Sequence, residues 1–344
     1  MNQNQIDKLI SEGEFPSPTK ERKLVETHIS WVILCDQYVY KIKKPMHYSF
    51  LDFSTLELRK HFCERELELN RRFTDNVYLE VLPIYETNNQ YQIGGEKARL
   101  PDGQGKIVDY ALKMRKLDPK KQMDVLLAKN KVSASNIENL AERISDFHKK
   151  ATIIYKKTVL DIKDMFNDLG EEKEFISQNL NADSGLLIAY AIEASDKFLD
   201  THEKLLHERL NSGFFRDVHG DLHTRNIFLL PDPQLFDCIE FNDGYRQIDI
   251  LNEVAFLCMD LDALGRTDLS ELFIEQYNRL FPAMRNEAER KLFIYYKSYR
   301  ANIRAKVNSL RARSASNKGD KKKALAEVKK YLSLMDGYIK SLDI

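Results

Sequence analysis

Polar and apolar positions change their rhythm about a third of the way along the chain. From Val25 to Ile42 β-branched and aromatic residues crowd together. Cys35-Asp36-Gln37 interrupts them as a turn, which predicts strands over 27–34 and 38–43, closed by Pro45. Ser54 and Glu57 form an S-x-x-E capping pattern and predict a helix from Ser54 to about Phe73. Hairpin-like alternation returns near 81–98 and 105–115. After Pro119 the period becomes helical, with helices expected at 120–129, 134–153, 185–211, 250–263, 268–280, 285–313 and 320–342. Only 215–241 departs from this, with short strand signals around a loop. The pattern predicts an α+β chain of two lobes: a small β-rich lobe over 1–116 and a larger helical lobe over 117–344.

Composition narrows the function classes. The 344 residues hold 53 Lys and Arg against 53 Asp and Glu, so a globally basic nucleic-acid binder is disfavoured. Cys35, Cys63, Cys238 and Cys258 form no C-x-x-C pair, which argues against a zinc site or disulfide framework and fits a reducing cytoplasm. No secretory signal and no apolar run of membrane-spanning length is present, so a cytoplasmic location without a membrane partner is expected.

The strongest chemical signal is His219-Gly220-Asp221-Leu222-His223-Thr224-Arg225-Asn226. It matches the H-x-D-L-x-x-x-N catalytic loop of kinases. Phosphoryl transfer needs a carboxylate to orient the attacking hydroxyl and accept its proton, and an oxygen ligand for magnesium a short loop away. Asp221 fits the first role and Asn226 the second. Ile227–Leu230, a Pro231-Asp232-Pro233 turn and Gln234–Phe236 read as a hairpin ending at Asp237, a second oxygen ligand for a hard ion. Glu240, three residues on, is open to two readings: support for a second metal, or a pair with Arg246.

This loop, followed by Phe236-Asp237-Cys238-Ile239-Glu240-Phe241, resembles the aminoglycoside phosphotransferase and choline kinase branch of the protein-kinase-like superfamily. It is closest to a bacterial aminoglycoside-phosphotransferase-like subgroup often fused to a P-loop ATPase domain. The resemblance extends to Glu26–Ser30, Tyr40–Pro45, Leu51–Thr55, Leu69–Arg72 and Tyr299–Lys306. No G-x-x-x-x-G-K-[ST] occurs in the chain. The resemblance implies a bilobal kinase fold with ATP between the lobes, Asp221 as base, Asn226 and Asp237 on Mg2+, and adenine against Met114, Arg115, Lys116 and Leu117. It also implies a strand lysine on the phosphates, paired with a helix glutamate.

Lys41 and Lys43 alternate onto one strand face, so either suits the lysine role, with Lys41 preferred as the deeper. Glu66 suits the glutamate role: it shares a helical stripe with Leu58, Phe62, Leu69 and Phe73, where a carboxylate needs a cationic partner. Glu64 and Glu68 point elsewhere. One departure from kinases is the lack of glycine between residues 14 and 45, where Thr27, His28 and Ser30 stand instead of a Gly-rich loop.

The remaining candidates are weighed between structural and chemical roles. His219 is read as holding its loop, His223 as surface-exposed, His148 as a core histidine and Asp249 as structural. Residues 285–330 hold 15 Lys and Arg against 4 Asp and Glu. Lys297, Arg300, Arg304 and Arg311 form one helical stripe, open to three readings: a solvated face, a wall for an anionic substrate, or a nucleic-acid surface. Such a stripe would repel polycationic aminoglycosides. The expected function is an ATP- and Mg2+-dependent phosphotransferase acting on a hydroxyl of a small metabolite, with anionic acceptors among the candidates and Arg300 and Arg304 as their contacts. The alternatives are a protein Ser/Thr kinase or autokinase, and a low-turnover nucleotide-binding regulatory module.

Overall fold

A computed structural model describes residues 1–48, 51–94 and 105–343. In chain order the elements are α1 (Gln3–Glu12), β1 (Lys23–Glu26), β2 (Ser30–Leu34), β3 (Tyr38–Lys43), β4 (His47–Tyr48), β5 (Leu51–Asp52), α2 (Leu56–Asn70), β6 (Tyr78–Thr87), β7 (Gln90–Ile93) and β8 (Lys106–Arg115). There follow α3 (Met123–Leu127), α4 (Ala134–Lys150), α5 (Asp161–Asn167), α6 (Lys173–Asn179), α7 (Ala182–Asn211), β9 (Phe215–Asp217), β10 (Ile227–Phe228), β11 (Gln234–Leu235), β12 (Gln247–Asp249), α8 (Ile250–Ala263), α9 (Thr267–Leu280), α10 (Glu287–Arg313) and α11 (Lys318–Lys340). The β-rich N-terminal half and larger helical C-terminal half make an α+β protein-kinase-like fold.

The chain divides into two compact units, one of residues 1–125 and 226–243, the other of 126–225 and 244–344. In the first, an antiparallel sheet runs in the order β1-β2-β3-β8-β6-β7. Strand alternation sorts β3: Tyr40 and Ile42 enter an apolar core with Ile6 and Leu9 of α1, Trp31, Ile33, Leu82 and Ile84. Lys41 and Lys43 therefore take the other face. The small hairpin of β10 and β11 belongs to this unit.

Helix α2 begins at Thr55, whose side chain accepts the Leu58 N–H, and not at Ser54 as the capping pattern suggests. The Ser54 N–H is taken by the Asp52 carboxylate, so the cap moves on by one residue. Its buried stripe also differs from the apolar one expected. Arg59, Cys63, Glu66, Leu69 and Asn70 are buried, whereas Leu58 and Phe62 are only half-buried. The buried polar groups are tolerable because each has a partner: Arg59 meets Asp109 at 2.9 Å, Glu66 meets Lys41 and Lys43, and the Asn70 amide donates to the Glu66 carbonyl.

The second unit is built of helices that start where short polar side chains cap them. Ser133, Asn181, Asn286 and Asn317 accept the N–H groups of Asn136, Ser184, Glu289 and Asp320. Helix α8 is buried continuously from Ile250 to Leu261. Two short helices, α5 and α6, carry too few turns to show a period and were not expected from the sequence. The four cysteines are buried free thiols, and no helix among the described residues is long and apolar enough to cross a membrane.

Candidate active site

In the first unit, one buried carboxylate organises four other charged side chains. Glu66 sends Oε1 to Lys41 Nζ at 2.8 Å and Oε2 to Lys43 Nζ at 2.7 Å. Lys41 also donates to Asp237 Oδ1 at 2.7 Å, and Lys43 to Glu240. The two lysines differ in access. The Lys41 side chain keeps 12% of its surface exposed beside an Asp237 that is 44% exposed, while Lys43 keeps none. Burial works against the charge on Lys41, but Asp237, Glu66 and Glu240 outweigh it and hold the ammonium well above its ordinary pKa. Burial likewise opposes ionisation of Glu66, yet the two lysines hold it below the usual carboxylate range.

The segment carrying Asp237 is fixed by buried polar groups of the same unit. The Asp237 N–H donates to the Tyr78 hydroxyl at 3.0 Å, and the Cys238 N–H to Asn70 Oδ1 at 2.9 Å. The Phe236 N–H closes on the Asn226 carbonyl at 3.0 Å, which brings Asn226 and Asp237 to the same end of the hairpin. Asp237 has φ 64°, a left-handed backbone that costs an L-residue roughly 1–2 kcal/mol. The bonds to Tyr78 and Asn70 maintain it. Glu240, open to pairing with Arg246, is instead bound to Lys43, and Arg246 is bound to Asp217.

In the second unit, the loop before Asp221 is held from α8 and α10. Glu253 accepts the N–H groups of His219 and Gly220 at 2.8 and 2.9 Å. Gly220 has φ 85°, a conformation open to glycine without strain. Arg300 donates to the Gly220 carbonyl at 3.1 Å and to Asn252 Oδ1 at 2.7 Å. The His219 ring accepts the Asp221 N–H, and Asp260 takes both the N–H and the hydroxyl of Thr224.

Asp221 itself is 3.3 Å from His223 Nε2. Burial raises its carboxyl pKa, but His223, His219 and Arg304 overcome that and hold it far below the usual range. His223 is thus not exposed as expected. It is buried against Phe256, and its pKa is raised because Asp221 more than offsets burial. Glu253 is pushed up to about 7, chiefly by burial.

Solved structures share this architecture. The chain superimposes on an aminoglycoside 2'-phosphotransferase-IIIa solved with GDP, with a TM-score of 0.52, 13% identity, and coverage of 95% of this chain and 94% of that one. A choline kinase from Cryptosporidium parvum Iowa II gives 0.55, 11%, 93% and 90%. A choline/ethanolamine kinase family protein from Mesorhizobium loti gives 0.51, 12%, 98% and 100%. The fold is that of the aminoglycoside phosphotransferases and choline kinases. No protein-family model matches the sequence. Uncharacterized proteins of Mycobacterium tuberculosis and Mycobacterium bovis are 31% identical over 297 residues, 83% of this chain. The chain spans about half the length of these curated relatives, 54%.

Other sequence candidates fall out as follows. The Arg115 and Lys116 N–H groups are bonded to Val77 and Gln37 carbonyls, while Met114 and Leu117 pack with Val77, Tyr78, Leu112 and Phe236. The Thr27 hydroxyl is spent within its own turn, on Ser30. Arg300 and Arg304 are buried, Lys297 pairs with Asp262, and Arg304 lies over the Tyr331 ring. Arg311 at the far end of the α10 stripe is exposed, but at Arg300 and Arg304 the stripe is not a solvated face, and the Arg300 donors are already engaged. His148 is a core residue bonded to Tyr277, as expected. Asp249 caps α8 and pairs with Arg209. Glu253 was missed: nothing in the sequence distinguishes it from any other helical glutamate, except its place in an otherwise apolar run.

The His223–Asp221 pair sets a pH dependence. His223 has a folded pKa above its ordinary 6.5, so its stabilisation is complete below that value and is lost as pH rises through the folded pKa. Glu253, raised from 4.5, also costs stability as pH climbs. The urea midpoint is expected to fall between about pH 6 and about pH 8.5. The fall should be smaller in His223→Asn, and an equal fall in both proteins would remove His223 as its source.

Proposed function

We propose that the protein is a phosphotransferase, dependent on ATP and Mg2+, which moves the γ-phosphoryl group to a hydroxyl of a small metabolite. The observation carrying this is Lys41, 12% exposed and held between Glu66 of α2 and Asp237 of the hairpin. An ammonium so placed meets phosphate oxygens on one side and a metal-bearing carboxylate on the other. Asn226 and Asp237 would hold Mg2+. Both offer the oxygen donors that a hard ion prefers, and the Phe236 N–H bond to the Asn226 carbonyl keeps the two at one end of the hairpin. A Mg2+ held by these two residues would supply neutralisation of phosphate charge.

Asp221 would accept the proton of the acceptor hydroxyl as that oxygen bonds to the γ-phosphorus and ADP leaves. His219 and Glu253 would shape the loop that presents it. Met114 and Leu117 would offer the adenine an apolar surface, with Arg115 and Lys116 extending the same segment. Arg304, which acts electrostatically on Asp221, keeps an anionic acceptor within this reading, whereas Arg300 braces the loop. The lobe assignment of 1–116 and 117–344, the bacterial subgroup and a cytoplasmic site of action are part of the same proposal. A screen of metabolites for ATP-dependent phosphorylation tests it. Failure of the purified protein to bind Mg-ATP would sink it. Autophosphorylation without a small-molecule acceptor would favour the protein-kinase reading.

The metal assignment has its own test. Asp237→Asn keeps a side chain that tolerates the left-handed backbone but removes the charge. The enhancement of ATP binding by Mg2+ in calorimetry is expected to fall at least about ten-fold. An undiminished enhancement would exclude Asp237 as ligand.

A further inference from the structure

The proposed reaction leaves Lys43 without a task, although it lies one strand repeat from Lys41. Its ammonium has no capacity to spare: it meets Glu66 Oε2 at 2.7 Å and Glu240, and sits 4.8 Å over the Phe53 ring. Residues two apart on a strand stand about 7 Å apart on one face. That spacing lets one carboxylate, Glu66, take a lysine on each oxygen. The result is a chain of alternating charge, Glu240–Lys43–Glu66–Lys41–Asp237, exposed only at the Asp237 end.

A fully buried Glu66 paired with Lys41 alone would lose much of its neutralisation whenever Lys41 turned to a phosphate, and an uncompensated buried charge is costly. Lys43 prevents that. We propose that Lys43 and Glu240 are positioning residues, which hold Glu66, and with it helix α2, in place whether or not Lys41 is engaged by a nucleotide. The role of Lys41 in this statement rests on the phosphotransferase reading; the anchoring of α2 does not. Both ends of the helix support it. Arg59 ties the first turn to the Phe53 and Ser54 carbonyls and to Asp109, and Asn70 ties the last to Cys238. An α2 fastened at three points is built to stay in one position, with Glu66 as its central fastening.

Hydrogen exchange over residues 56–70 in the nucleotide-free protein tests this, beside steady-state kinetics. The Lys43→Met/Glu240→Gln double variant removes the outer pair without leaving either charge alone. Its α2 amides should exchange at least about ten-fold faster and its KM for ATP should rise about five- to ten-fold, with kcat changed less. Lys41→Met should lose ATP affinity at least about ten-fold while α2 exchange stays within about two-fold, because Lys43 still holds Glu66. Unchanged α2 exchange in the double variant would overturn the proposal, as would equal acceleration in Lys41→Met. Should the double variant not fold, Glu240→Gln alone carries the test. About three-fold faster exchange is then expected, and wild-type exchange would overturn the idea. Because exchange needs no nucleotide, a wild-type protein that ignored ATP would defeat the phosphotransferase reading and leave the anchoring test standing.

Discussion

Asp221→Asn is expected to lower turnover by about 100- to 10,000-fold while Mg-ATP affinity stays within about two-fold of wild type. The asparagine keeps the shape of the side chain but accepts no proton. The environment of Asp221 explains why the loss should be large. His223, His219 and Arg304 hold the carboxyl ionised despite partial burial, so the wild-type base is charged throughout the working pH range. Turnover in the acid limb should consequently not track an ordinary carboxylate pKa. Steady-state kinetics with the acceptor found by screening decides the matter. A variant within a few-fold of wild type would remove Asp221 from the reaction.

Glu253→Ala should destabilise the protein by about 2–6 kcal/mol, because it leaves two buried backbone N–H groups without an acceptor, at about 1–3 kcal/mol each. The truncation strands the His219 and Gly220 N–H groups in an interior that offers no replacement. Urea or thermal unfolding measures this. Glu253→Gln retains one acceptor oxygen and should cost about 1–3 kcal/mol. Its activity should fall further than its stability, because the loop that presents Asp221 loses one of its two backbone anchors. A Glu253→Ala protein as stable as wild type would show that the loop holds itself.

Much of the site was legible because it is local. Lys41 and Lys43 share a strand face by the two-residue repeat, and a glutamate amid apolar helix positions implies a cation opposite. The structure supplies two cations there. The turn between β10 and β11 could be seen in Pro231-Asp232-Pro233. Thr55 shows the limit of such rules, since the choice between adjacent hydroxyl residues went to the one whose neighbour was already satisfied by Asp52.

By itself, the sequence determined the helical and strand periods, the order of a β-rich half before a helical one, and the spacing of the Asp221 loop. All three follow from dihedral preferences and side-chain repeats that act over a few residues. Glu66 apart, tertiary structure alone decided which charges are buried. Arg300 and Arg304 look like a solvated or ligand-facing stripe on α10, yet both are buried, and Arg300 braces Gly220, 80 residues away. Arg59 and Asn70 join the expected Glu66 and Leu69 on the inner face of α2, in place of Leu58 and Phe62, for the same reason. A charged side chain enters an interior only where distant parts of the chain converge to pair it, and no local pattern records that convergence.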